Sequence, residues 1–231
     1  MGMKPTPLWG AVFDWDGVII DSSRQHEKSW EMLATEEKRQ LPPNHFKQSF
    51  GMKNEKIIPE LLQWTTDPPE IRRLSLRKEA LYREIVRTSG IGPLPGVLQW
   101  LDSLRAASIP CVIASSTHRE NIACTLGVLG LEQYFPAIVS AEDVKHGKPD
   151  PEVFLLAARK IGVPPDHCIV FEDAHVGIEA ARAAGMKVVG VATTHPAESL
   201  QGADRVVQRM DELTVQGLNG WWIPSAPRLD K

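Results

Sequence analysis

The alternation of short apolar runs with helix-patterned stretches constrains this chain more tightly than any other feature of its sequence. Runs at 10–14, 109–114, 137–140, 168–172 and 187–192 are almost continuously apolar, as strands buried on both faces are. Between them, residues 96–107, 118–128, 151–161 and 175–184 place apolar side chains three or four apart, and Gly185 follows the last as a C-cap. Strands that alternate with such helices predict an α/β fold built on a doubly wound parallel sheet. With 231 residues, 42% of them hydrophobic, the chain can bury the core that sheet needs.

The alternation breaks once, where about seventy residues between the first and second strands hold helical patterns at 22–36, 54–64 and 69–88 but no strand pattern. The third pattern opens with Asp67-Pro68-Pro69-Glu70, prolines where a first helical turn accepts them. The return path "TSGIGPLPG" at 88–96 is rich in Gly and Pro and suits a linker between units that move relative to one another. The expected division is therefore a core formed by 1–21 and 92–231, with an inserted helical unit at 22–91. Near the C-terminus come a strand candidate at 204–207 and a helix start in "MDELT" at 210–214. Trp221 and Trp222 are expected to pack on the core or on a neighbouring subunit.

Ligands of an open parallel sheet sit beyond the carboxyl ends of its strands. The first strand delivers Asp14 and Asp16 there, the second Ser115, Ser116 and Thr117, and the fourth Glu172 and Asp173. Lys148 is held before a proline in "HGKPDP", at the start of the next helix. Four carboxylates at one edge repel by several kcal/mol even at an intermediate dielectric, more than Lys148 alone offsets, so a cation is required. All-oxygen ligands suit Mg2+, which shares its octahedron with waters and a phosphate, whereas zinc is disfavoured because the histidines and cysteines are scattered. A phosphoryl group is the natural guest. Asp14 is then the candidate nucleophile, forming an aspartyl-phosphate, and Asp16 the group that protonates the leaving oxygen and later activates water. Gly17 lets the backbone turn sharply, the Ser115 hydroxyl can hold phosphoryl oxygens, and Asp21 reads as a local cap for the following helix.

The segments "FDWDGVIID", "VIASST", "GKPDP" and "FEDAHVGIEAARAAG" resemble the four motifs of the haloacid dehalogenase superfamily, and they order the chain from residue 8 to about 192. Asp16 is similar to the second acid of the phosphatase and phosphomutase branch, which the dehalogenases lack. The resemblance implies a Rossmann-like doubly wound parallel sheet core with an inserted α-helical cap of the C1 type, as in the beta-phosphoglucomutase-like subgroup. It implies Asp14 as nucleophile and Asp16 as acid/base, with Ser115, Ser116 and Lys148 binding phosphate. Mg2+ is implied on Asp14, the Asp16 carbonyl, Asp173 and Glu172.

The cap chooses the substrate in that subgroup. His26 matches the histidine that mutases carry at the cap hinge, and Arg83 stands where they carry a lysine. Where mutases place an arginine for the sugar's distal phosphate, this chain offers Asn54 with Lys53 beside it. The cap segments "GMKNEKIIPELLQW", "DPPEIRRL" and "RKEALYREI", with "DELT" in the tail, also resemble the plant pyrimidine phosphatases of riboflavin synthesis. The expected function is a Mg2+-dependent phosphatase of a small phosphorylated metabolite, either a sugar or polyol phosphate or a ribityl-pyrimidine phosphate. A hexose-phosphate mutase of the beta-phosphoglucomutase type and a non-catalytic phosphate sensor are the alternatives.

Lysine and arginine number 26 against 29 acids, so no basic excess points to nucleic acid or to a membrane surface. No apolar run approaches a membrane span, and no signal-peptide layout opens the chain. Cys111, Cys124 and Cys168 are too widely spaced for a Cys-x-x-Cys pair and read as reduced thiols of a cytosol-like compartment. The expected setting is the cytoplasm, or the plastid stroma after removal of a transit peptide, and the expected state is a monomer or weak homodimer. Gly2 and Thr6 satisfy the short N-myristoylation pattern.

Overall fold

The computed structural model describes residues 9–49 and 52–222. The acylation pattern at Gly2 and the tail beyond Trp222 lie outside the described residues. Six strands are present among those described: β1 Gly10–Phe13, β2 Cys111–Ala114, β3 Ala137–Val139, β4 Cys168–Glu172, β5 Lys187–Val191 and β6 Arg205–Val207. The α-helices are α1 Ser23–Glu36, α2 His45–Ser49, α3 Asn54–Lys56, α4 Pro68–Ser89, α5 Val97–Ala106, α6 Arg119–Leu129, α7 Glu152–Ile161, α8 His175–Ala183 and α9 Val215–Asn219. None is long and apolar enough to cross a membrane.

Two compact units emerge, one holding Gly92–Ile122 and the described residues up to Asp21 and from Leu129 onward, the other Ser22–Ile91 with Ala123–Val128. The second unit thus also takes the greater part of α6. There Cys124 and Thr125 meet α4, with Thr125 Oγ1 3.5 Å from the Tyr82 hydroxyl and Cys124 Sγ 3.8 Å from the Arg83 carbonyl oxygen.

The first unit is a parallel six-stranded sheet in the order β3-β2-β1-β4-β5-β6. Every residue of β1, β2 and β4 is buried, the result of covering both sheet faces with helices. On one face Val12, Val112, Val170 and Val188 pack with Phe154, Ala157 and Ala158 of α7 and with Ile178 and Ala181 of α8. Phe13 and Phe171 are register partners of β1 and β4, and their rings stack at 4.5 Å. Strand order reverses between β1 and β4, the topological switch point beyond which ligands bind in such sheets.

Several boundaries differ from the sequence pattern for local reasons. Strand β2 begins at Cys111 rather than at 109 because Pro110 has no N–H to donate, although its carbonyl still accepts from Ala11. The helix after β1 takes Ser22, not Asp21, as its N-cap residue. The 54–64 pattern divides into α3 and a π-helical turn at Ile57–Leu61, because Pro59 lacks an N–H and Leu62 reaches back five residues to the Ile57 carbonyl at 2.8 Å. In α4, Asp67 caps the first turn by accepting from Glu70 N–H at 3.3 Å. The "MDELT" segment forms one 3-10 turn at Met210–Glu212, and Thr214 then caps α9. Trp222 packs on its own chain, stacked against Trp9 at 6.1 Å and bonded through Nε1 to the Asp166 carbonyl.

Candidate active site

The carboxyl ends of β1 and β4 bring Asp14, Glu172 and Asp173 together, one ligand oxygen from each lying within 4.8 Å of the others. All three side chains are buried because they end strands that are themselves fully covered. Lys148 reaches in from the loop before α7. Its ammonium donates to Asp14 Oδ1 at 2.8 Å and to Glu172 Oε1 at 2.5 Å, with the Phe154 ring beneath it at 4.8 Å. The second oxygen of Glu172 accepts from Ala174 N–H at 2.8 Å. Glu172 thereby seats Lys148 and the start of α8 at once.

The charges do not balance. Burial works against the Lys148 ammonium, but Asp14 and Glu172 outweigh it and hold its pKa above the ordinary lysine value. Burial raises the pKa of Glu172. Asp173, which accepts from the Thr194 hydroxyl, is pushed up to about 8 by burial and then by the charges of Asp14 and Glu172. Three buried carboxylates against one ammonium suit a cation taking oxygen ligands.

Two glycines make the approach possible. Gly17 has φ +79, and a Cβ there would lie 2.0 Å from Asp173 Oδ2, so only glycine admits the Asp173 carboxylate at this turn. Gly177, in the first turn of α8, leaves room for Glu172, whose Oε1 would lie 1.8 Å from an added Cβ.

Asp16 is less buried than Asp14 and accepts from the Thr117 hydroxyl at 2.5 Å. The buried Ser115 hydroxyl accepts from Thr117 N–H at 3.2 Å, which orders the loop after β2. Ser116 is exposed. Thr193 and Thr194 join the site without being among the sequence candidates. The Thr193 hydroxyl donates to the Gly17 carbonyl and the Thr194 hydroxyl to Asp173, so the loop after β5 braces both halves of the acid cluster. The signal was available, since "TTH" follows a strand end just as the other site residues do.

The remaining sequence candidates lie in the helical unit, where His26 and Asn54 join one network. His26 Nδ1 is 2.7 Å from Lys78 Nζ, and its ring stacks on Tyr82 at 4.1 Å. Asn54 donates to Glu79 Oε1 at 2.7 Å and to Ser75 Oγ at 3.1 Å, while Lys78 donates to the same Glu79 oxygen at 3.0 Å. Lys53 is exposed at the N-cap of α3, and Arg83 lies one turn beyond Glu79 in α4. The cation brought to His26 is Lys78. Burial first, and the Lys78 charge second, push the His26 pKa down to about 3.

A parallel doubly wound sheet with buried acids and one lysine at its switch point defines a class of α/β enzymes that handle anionic substrates. The haloacid dehalogenase-like hydrolase model matches residues 10–185, and the chain belongs to that family of hydrolytic enzymes. It is 39% identical over 209 residues to the chloroplastic 5-amino-6-(5-phospho-D-ribitylamino)uracil phosphatase of Arabidopsis thaliana, covering 89% of this chain and 56% of that protein. It is 36% identical over 187 residues to a fructose-1-phosphate phosphatase of Escherichia coli, covering 79% of this chain and 95% of that one. Among solved structures, a beta-phosphoglucomutase from Clostridium difficile superimposes with a TM-score of 0.76 at 28% identity, covering 91% of this chain and 95% of that chain.

Proposed function

We propose that this chain is a Mg2+-dependent phosphatase that hydrolyses a small phosphorylated metabolite through an aspartyl-phosphate on Asp14. The observation that carries the reading is the Lys148 ammonium held between Asp14 and Glu172, with Asp173 alongside. An ammonium bonded to the attacking carboxylate reduces the repulsion between two anions that must meet.

Asp14 attacks phosphorus while Asp16 gives its proton to the leaving alcohol oxygen; Asp16 then takes a proton from the water that attacks the aspartyl-phosphate, releasing phosphate and restoring Asp14. The Thr117 hydroxyl fixes the orientation of the Asp16 carboxyl group for both transfers. Lys148 and Ser115 hold the phosphoryl oxygens. The residues fit Mg2+ by donor type: Asp14, Asp173 and the Asp16 carbonyl would hold it, with Glu172 at their side. When bound, Mg2+ supplies the positive charge that the acid cluster lacks and polarises the phosphoryl group.

The phosphatase relatives favour hydrolysis, and a sugar phosphate, polyol phosphate or ribityl-pyrimidine phosphate is the substrate class they suggest. The polar network of the helical unit supports hydrolysis over the mutase reading, because Lys78 is matched by Glu79 and Asn54 is neutral. That set lacks the unmatched cation that a second phosphate calls for. We further place the protein in the cytoplasm or plastid stroma, in line with its free cysteines and its chloroplastic relative, as a monomer or weak homodimer.

A phosphate-release panel with Mg2+ tests this reading. It should include fructose 1-phosphate, hexitol phosphates, the ribityl-pyrimidine phosphate and both glucose phosphates. Release from several of these is the expected result; isomerisation of a glucose phosphate without net release would favour the mutase.

A further inference from the structure

We infer that His175 and His195 form a binding site for a late first-row divalent cation such as Ni2+, Cu2+ or Zn2+, separate from the acid cluster. His175 opens α8 and His195 lies in the loop after β5, both beyond the carboxyl ends of their strands. Their rings have centroids 4.7 Å apart and are tilted by 40° rather than stacked in parallel. Among the described residues, neither imidazole is drawn into another hydrogen bond or ion pair. That sets them apart from His118, bonded to Glu142, and from His26, bonded to Lys78.

The spacing leaves two imidazoles within reach of one ion. With metal–nitrogen bonds of about 2.0–2.1 Å, rings bound at a right angle have centroids about 4.6 Å apart, and rings at the tetrahedral angle about 5.2 Å apart. The observed 4.7 Å lies within the range that two imidazoles on one ion require, and Ni2+ and Cu2+ accept imidazole ligands. Imidazole ligands select these ions over Mg2+, which prefers oxygen, so the two sites divide metals by ligand type.

His195 precedes Pro196, which biases its backbone toward an extended conformation and limits the rearrangement that binding requires. The ion would also join two segments that meet at Asp173: α8 begins just after that residue, and Thr194, next to His195, donates to its carboxylate.

A second cluster competes for the same ions. His146, Asp150 and Glu152 place ligand atoms within 4.8 Å of one another, but Glu152 already accepts from the N–H groups of Lys145 and His146, and Asp150 from Glu152 N–H. Those bonds shape the loop that carries Lys148, and coordination there would have to break them.

The test is calorimetric titration of the tag-free full chain with Ni2+, in excess Mg2+ to occupy oxygen-ligand sites. One Ni2+ per chain should bind, and His175→Gln and His195→Gln should each weaken binding by about tenfold or more. His146→Gln should leave it unchanged. Absence of saturable binding, wild-type affinity in either His175→Gln or His195→Gln, or loss on His146→Gln would overturn the inference. Melting curves without metal establish that the variants fold. Electron paramagnetic resonance of the Cu2+-loaded wild type gives a readout independent of any variant: nitrogen splitting from two imidazoles supports the site, and its absence refutes it.

Discussion

The Lys148 ammonium donates to Asp14 Oδ1 at 2.8 Å across 134 residues of sequence, while its second bond, to Glu172, ties the same group to β4. Three segments of the chain therefore share one buried cation. Lys148→Met removes the cation and leaves two buried carboxylates uncompensated, which costs about 3–5 kcal/mol of stability. Urea denaturation without Mg2+ measures this, and phosphate release should fall with it. Lys148→Arg should not restore activity, since a planar fork does not replace a point charge between two carboxylates. Wild-type stability in Lys148→Met would show that the pair is not coupled to the fold.

Gly17 and Asp173 pack so closely that a Cβ on residue 17 would overlap the Asp173 carboxylate. Gly17→Ala costs about 1–3 kcal/mol from its left-handed backbone alone, and its methyl group displaces the Asp173 carboxylate. The expected result is a lower urea midpoint together with a higher Mg2+ concentration for half-maximal phosphate release. A variant with an unchanged Mg2+ requirement would remove Asp173 from the metal site.

His26 gives the helical unit a pH dependence of defined sign. Its pKa is pushed down to about 3 when folded, so the unfolded imidazole takes up a proton near its ordinary value and the folded one does not. The stabilisation is complete above about pH 6.5 and is lost as pH falls through the window toward 3. Thermal melting between about pH 7 and pH 5 should show a steeper loss for the wild type than for His26→Gln. Parallel curves would mean that His26 titrates alike in both states.

Asp16 and Thr117 divide the proton-transfer work from its positioning. Asp16→Asn should slow the first phosphoryl transfer, followed as leaving-group release in a single turnover, by about 10²–10⁴-fold for alkyl phosphates, and less for aryl phosphates, whose leaving groups need no proton. Comparing the two substrate types in one assay checks this. Equal loss on both would exclude Asp16 as the acid of the first step.

The parallel sheet was legible in the sequence because β1, β2 and β4 are buried on both faces and therefore read as unbroken apolar runs. The meeting of Asp14, Glu172 and Asp173 was legible because each lies at a strand's carboxyl end, and Lys148 was legible from its place before a proline at the start of the next helix. Thr194 could have been found from its own place beyond a strand end. Lys78 could not, because it lies within α4, where the helical period marks which face is buried but not which polar side chains meet there. The π-turn was equally hidden: Pro59 announces a disrupted ladder but not the five-residue reach that replaces it.

The most direct test of the central claim is acid quench of the enzyme during turnover, followed by mass spectrometry of the peptide containing Asp14. The mechanism predicts one phosphoryl group on Asp14, present with substrate and Mg2+, absent from Asp14→Asn, and longer-lived in Asp16→Asn, whose intermediate lacks its base. Turnover by the wild type with no phosphoryl group on Asp14 at any quench time, or undiminished phosphate release by Asp14→Asn, would contradict it.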